Sequence, residues 1–150
     1  MASKTFRVDI RGIREALATL RQLDERAPEA ASILLKDFVE TQVIAPAKEI
    51  VPVDVGTLKG SLQASEPLVA GTKITVVASA GGPAAPYALA VHENPRSGQT
   101  GGLSPSGKPY QHWARTGEWK YLERPALAAA SDSAAWLLAL AKDLVERMRG

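Results

Sequence analysis

No cysteine occurs in the 150-residue chain. That excludes a disulfide framework, a thiolate metal site and a thiol nucleophile, and it suits a reducing cytoplasm. Aromatic residues are scarce too, at 5%, so alanine and aliphatic side chains must fill the core of what is most economically a single domain over residues 1–150. The most apolar C-terminal run, residues 126–141, is interrupted by Ser131-Asp132-Ser133 and falls short of a membrane span. No charged-then-apolar leader opens the chain, so the expectation is a soluble protein with no membrane partner. The formal charge of +2 is too small to argue for nucleic acid by itself. Its placement is more informative: residues 1–52 and 121–150 each balance, and the excess lies between them.

Phe6, Val8 and Ile10 alternate with Arg7, Asp9 and Arg11, the period of a strand with one buried face. After Gly12 the spacing of Ile13, Ala16, Leu17, Leu20 and Leu23 predicts an amphipathic helix over 13–26 that Pro28 ends or resets. A second helix carries two apolar stripes, Ile33, Leu34, Phe38 and Ala45 on one side and Leu35, Val39 and Val43 on another. Two readings of the second stripe stay open: burial in the chain's own core, or contact with a neighbouring subunit. Pro46 predicts a kink or an end near Ile44.

Further on, 62–65 and 73–79 read as strands, with turns around Glu66-Pro67 and Ala70-Gly71, and 87–92 as a third strand on the alternation of Tyr87, Leu89 and Val91. Residues 94–118 are rich in glycine and proline and lack periodicity, which predicts a flexible exposed loop. Between Asn94 and Lys120, Arg96, Lys108, Arg115 and Lys120 face only Glu118, interleaved with Tyr110, His112 and Trp113. The closing helix starts at Pro125 and shows one face of Leu127, Ala134, Leu137, Ala141, Leu144 and Met148, with Trp136 and Leu140 off it. The fold expected is α+β, a small antiparallel sheet packed by N-terminal and C-terminal helices.

The handover between the helical and strand-rich halves is Pro52-Val53-Asp54-Val55-Gly56-Thr57-Leu58-Lys59-Gly60-Ser61-Leu62. Pro52 stops a helix, Asp54 can cap backbone N–H groups, Gly56 can take positive φ, and Leu58 offers an apolar anchor. This stretch is similar to the Pro-Val-Asp-x-Gly-x-Leu-x-x-Ser-Leu signature of the tail-completion or neck proteins of siphophage-type tailed phages. Tyr87-Ala88-Leu89-Ala90-Val91-His92-Glu93 resembles the same family's Tyr-Ala-x-x-Val-x-Glu segment, and Tyr121-Leu122-Glu123-Arg124-Pro125-Ala126-Leu127 its aromatic-Leu-x-Arg-Pro-Ala-Leu segment, in the same order. The opening Val8-Asp9-Ile10-Arg11-Gly12-Ile13 also looks like the family's first strand. The chain departs at Val55, where the family commonly has Thr, and at Asn94-Pro95.

Other constellations are weaker. Gly102-Leu103-Ser104-Pro105-Ser106-Gly107-Lys108 matches a P-loop as far as its lysine, but Pro109 replaces the Ser or Thr that would hold magnesium. His92 and Glu93 with His112 and Asp54 offer zinc-like donors without zinc-site spacing. Asp54 and Glu93 could form a carboxylate pair, yet capping and a strand end explain them more simply. Neither a Gly-x-Ser-x-Gly elbow nor an activated nucleophile occurs. We therefore expect no catalytic residue, no metal, no cofactor and no small-molecule substrate.

The resemblance implies a structural virion protein, assembled in the host cytoplasm, that completes the tail or neck and joins the tail to the head connector. It implies a homo-oligomer, a hexameric ring around passing DNA, with connector or adaptor and tail-tube or tail-terminator proteins as partners. On that view Leu35, Val39, Val43, Trp136 and Leu140 would meet the next subunit. Arg96, Lys108, Tyr110, Trp113, Arg115 and Lys120 would face a partner or DNA. Alternatives are a tail terminator or head-closure adaptor of the same virion, or a free nucleic-acid-binding protein using the basic loop.

Overall fold

The computed structural model describes residues 13–52, 56–70, 73–83, 85–94 and 117–149. The expected first strand at 6–10 and nearly all of the 94–118 loop lie outside them. The fold is α+β and mainly helical, with two small antiparallel ribbons.

Helix α1 (Ile13–Leu20) passes into a tighter 3-10 segment (Arg21–Arg26), interrupted at Asp24 with φ 48° and ψ −114°. Ala16, Leu20 and Leu23 turn inward at helical spacing. Helix α2 (Ala27–Val39) follows directly, with Pro28 in its first turn, where the missing N–H breaks no bond. Ala30, Leu34 and Phe38 form its buried ridge.

Pro46 does not end this helix. A single widened π turn (Glu40–Ile44) precedes it, in which the Ala45 N–H reaches back to the Glu40 carbonyl, and helix α3 (Ala45–Ile50) continues beyond. The extra residue in the turn relieves the crowding that the proline ring would impose on the carbonyl four positions earlier. It also shifts the helical phase, so that Val43, Ile44 and Ala47 all face inward.

The second apolar stripe is thereby settled for two of its members. Val39 and Val43 retain only 8% and 5% exposure within the chain itself, which corrects the expectation that they meet a neighbouring subunit. Val39 flanks the buried Phe38 on α2, and Val43 lies in the π turn, which faces the same core.

Val51 is extended, and Gly56, at φ 85°, leads into the short helix α4 (Thr57–Ser61). The ribbons follow. Strand β1 (Gln63–Ala64) pairs with β4 (Ala78–Ser79), Gln63 opposite Ser79, and β2 (Leu68–Ala70) pairs with β3 (Lys73–Thr75), Val69 opposite Ile74. Lys36 of α2 forms ion pairs with both Glu66, beside β2, and Glu40. The Glu66 hydrogen bond, opposed by lost hydration and aided by the charges of Glu66 and Glu40, raises the Lys36 pKa above its ordinary value.

The expected third strand at 87–92 is instead helix α5 (Ala88–Glu93). The same residues fit both periods, but Ala88, Val91 and His92 are the ones buried, an i, i+3, i+4 face, and the alanines favour helix.

Helices α6 (Glu123–Asp132) and α7 (Ala134–Arg149) close the chain. Hydrogen bonding runs on through the break between them, from the Ser133 N–H to the Ala129 carbonyl at 3.2 Å and from the Leu137 N–H to the Ser133 carbonyl at 2.9 Å. The break gives the two helices separate phases. Leu137, Ala141 and Leu144 are buried as expected, whereas Leu127 and Ala134 are exposed. Helix α1 packs most extensively on α7, α2 packs on α7 as well, and the π turn packs on α6. None of the helices among the described residues is long and apolar enough to cross a membrane.

Val43→Asp should destabilise the protein by about 3 kcal/mol or more, because a charge would enter a closed apolar core. Thermal melting followed by circular dichroism checks this: a variant that melts like the parent would return Val43 to the surface.

Candidate functional site

Two of the sequence segments singled out above, 87–93 and 121–127, meet at one place, and Pro52 at the start of a third lies beside it. Where the chain returns at Gly117, the Glu118 N–H donates to the Ile50 carbonyl at 2.7 Å, at the end of α3. Gly117 lies against Pro52: at φ 142°, a β-carbon added there would sit 2.8 Å from the proline α-carbon. Two residues on, the Lys120 N–H donates to the His92 carbonyl at 2.7 Å, at the end of α5. The Tyr121 hydroxyl, buried with its ring, donates to the Ala88 carbonyl at 2.8 Å. One four-residue return thus ties α3, α5 and the start of α6 together.

A compact charge cluster sits on this junction. Glu93 and Glu123 accept from the Lys120 ammonium at 2.7 and 3.0 Å. Lys120 adopts a left-handed backbone conformation, φ 57°, which costs a residue with a β-carbon about 1 kcal/mol. The backbone bond to His92 and the two carboxylates hold it there. Alongside, Lys120 and Arg124 lie 5.5 and 5.8 Å from the centre of the Trp119 ring, and Arg124 pairs with Glu118 at 2.6 Å.

His92 is the buried member. Its Nε2 accepts the Glu123 backbone N–H at 3.2 Å, and its Nδ1 lies 2.8 Å from a Glu93 carboxylate oxygen. An acceptor nitrogen cannot carry a proton, so this pattern defines a neutral ring protonated at Nδ1 and donating to Glu93. The Tyr121 ring meets the imidazole edge to face, centroids 5.0 Å apart. Burial, and to a lesser extent the neighbouring Tyr87, push the Tyr121 phenol far above its ordinary range.

His92, Glu93 and Glu123 bring ligand atoms within 4.8 Å of one another, a spacing that a divalent cation could use. The chemistry of the donors points elsewhere. The Lys120 ammonium stands between the two carboxylates where a cation would stand, and the Nδ1 lone pair is taken up by a proton as long as Glu123 holds Nε2. The cluster is an ion and hydrogen-bond network closed by its own lysine.

Of the residues picked out in the sequence, His92, Glu93 and Lys120 belong to this network, Pro52 and Leu58 are buried, and Gly56 takes its positive φ. Leu35, Trp136 and Leu140 are half-buried, Trp136 packing on Phe38 at 6.0 Å between ring centres. Asp54, Arg96, Lys108, Tyr110, His112, Trp113 and Arg115 lie outside the described residues, as does the P-loop-like stretch. Glu123, Tyr121 and Gly117 were not singled out as site residues. The signal available for the first two was their place in a segment that resembles a family signature; for Gly117 it was only a glycine before a tryptophan.

Gly117→Ala should cost about 2 kcal/mol, through the clash with Pro52 and a φ that disfavours a β-carbon; denaturant unfolding measures it. For Tyr121, the folded state holds the phenolic proton more tightly than the unfolded chain does. Its contribution is therefore complete below the unfolded pKa near 10 and is lost as pH rises from there toward the folded value. Alkaline spectrophotometric titration should show Tyr121 ionising only on unfolding. Tyr121→Phe should remove that late step and cost about 1 kcal/mol at neutral pH.

No family model, curated protein or solved structure matches this chain.

Proposed function

We propose that the chain is a structural virion protein of a tailed phage that completes the tail or neck and joins the tail to the head connector, as one subunit of a ring around the DNA channel. One observation carries the reading: two of the segments that resemble the tail-completion signature, 87–93 and 121–127, pack together in one junction, with Pro52 of the third at its edge. Gly117, which precedes the last segment, lies against Pro52, the Tyr121 hydroxyl bonds to Ala88 of α5, and the Glu123 amide bonds to His92.

The role is mechanical, assembly by complementary surfaces. In a cyclic ring each subunit offers two different faces, and the contact closes when the rotation between neighbours permits. With Val39 and Val43 in the core, such contacts have to draw on other apolar groups. Among the described residues Leu17, Ile33, Leu68, Val69, Val77 and Leu127 are the exposed large ones, with Leu35, Trp136 and Leu140 partly open. Leu68, Val69 and Val77 belong to the β2–β3 ribbon and the residues just after it.

Pull-down of purified connector, tail-tube and tail-terminator proteins tests the assignment. Capture of connector together with a tail protein is expected. Capture of tail proteins alone would move the chain to the tail-terminator position, and steeply salt-dependent DNA binding with no protein partner would favour a nucleic-acid-binding role instead.

A further inference from the structure

The Glu123 amide and His92 form a contact that exists in only one protonation state of the ring. Nε2 must be unprotonated to accept the backbone N–H at 3.2 Å. A protonated imidazole carries N–H on both nitrogens, and two donors would then point at each other inside a contact where His92 is 7% exposed. Such a contact has to open or the ring has to turn.

The described charged and titratable groups around the ring come from each element packed on it. Glu93 on α5 touches Nδ1, Lys120 and Tyr121 lie in the turn before α6, and Glu123 opens α6. The two carboxylates favour a charged ring. The ammonium of Lys120 and the N-terminal end of the α6 dipole oppose one in the present position. These forces do not cancel in place: the cation gains by moving toward the carboxylates and away from the helix end. Motion in that direction strains the neighbouring bond from the Lys120 N–H to the His92 carbonyl.

We propose that the α5–α6 contact is a proton-sensitive latch, closed while His92 is neutral and released when its Nε2 takes up a proton. The sign follows from the bond itself: it is present at higher pH and lost as pH falls. The core of α1, α2 and α7 makes no use of this bond, so the latch opens locally, at the chain return that joins α3, α5 and α6.

The full-length protein labelled with 15N reports both halves of the claim between about pH 8 and about pH 5, the range in which histidine side chains change charge. Long-range 1H–15N correlation reads the protonation of each ring nitrogen, and amide exchange, corrected for intrinsic rates, reads the Glu123 bond. At the upper end Nε2 should be unprotonated and the Glu123 amide protected. As both nitrogens become protonated, Glu123 protection should fall about tenfold, the equivalent of one lost hydrogen bond, while Leu137 protection stays constant. His92→Gln, which keeps an acceptor but cannot titrate in this range, should abolish the response. A ring that keeps Nε2 unprotonated throughout, Glu123 protection that stays flat while the ring protonates, or the same fall in His92→Gln would each overturn the proposal.

Discussion

The structure depends on one return of the chain. Between Gly117 and Glu123 the backbone bonds first to the end of α3 and then to the end of α5, and the Tyr121 side chain bonds to the beginning of α5. Without these bonds α5 would be a six-residue helix, too short to persist alone. The charges gathered at the return follow from the same constraint. Bringing α6 against α5 places Glu93 beside Glu123, and Lys120, held in a left-handed conformation, supplies the cation that makes their approach tolerable.

The rest of the molecule is a helical core with few aromatic residues. Alanine at the closest approaches (Ala16, Ala30, Ala47 and Ala141, each fully buried) lets helix backbones come near one another, and leucine and valine fill the remainder. Phe38 and Trp136 supply one tilted aromatic contact at the edge of that core. The ribbons contribute little to it, and β2 is exposed along its length. The helical layer and the chain return therefore account for most of the fixed geometry, and the ribbons ride on α2 and the π turn.

Helical periodicity was the most legible feature. Most inward positions of α1, α2 and α7 follow from spacing, although Leu17, Ile33 and Ala134, which the same spacing put on those faces, are exposed. Three features were hidden for identifiable reasons. At 87–92 a short apolar run satisfies both periods, and the helix buries Ala88, Val91 and His92 on one face. At Pro46 the strain was visible, but whether it ends the helix or widens a turn depends on what the following residues can bury. Strand β2 falls where turn residues suggested only a connection. The charge cluster joins residues of α5 to residues that follow a long intervening segment. No local pattern encodes that distance, although the resemblance had marked both segments.

The proposed role rests on assembly, and mass is its most direct measure. Light scattering over a wide concentration range, on the protein alone and mixed with purified connector, with imaging of any large species, decides the matter. The account predicts a closed ring with a central hole in at least one of the two conditions. A protein that stays monomeric in both, with no ring on the connector, would contradict it.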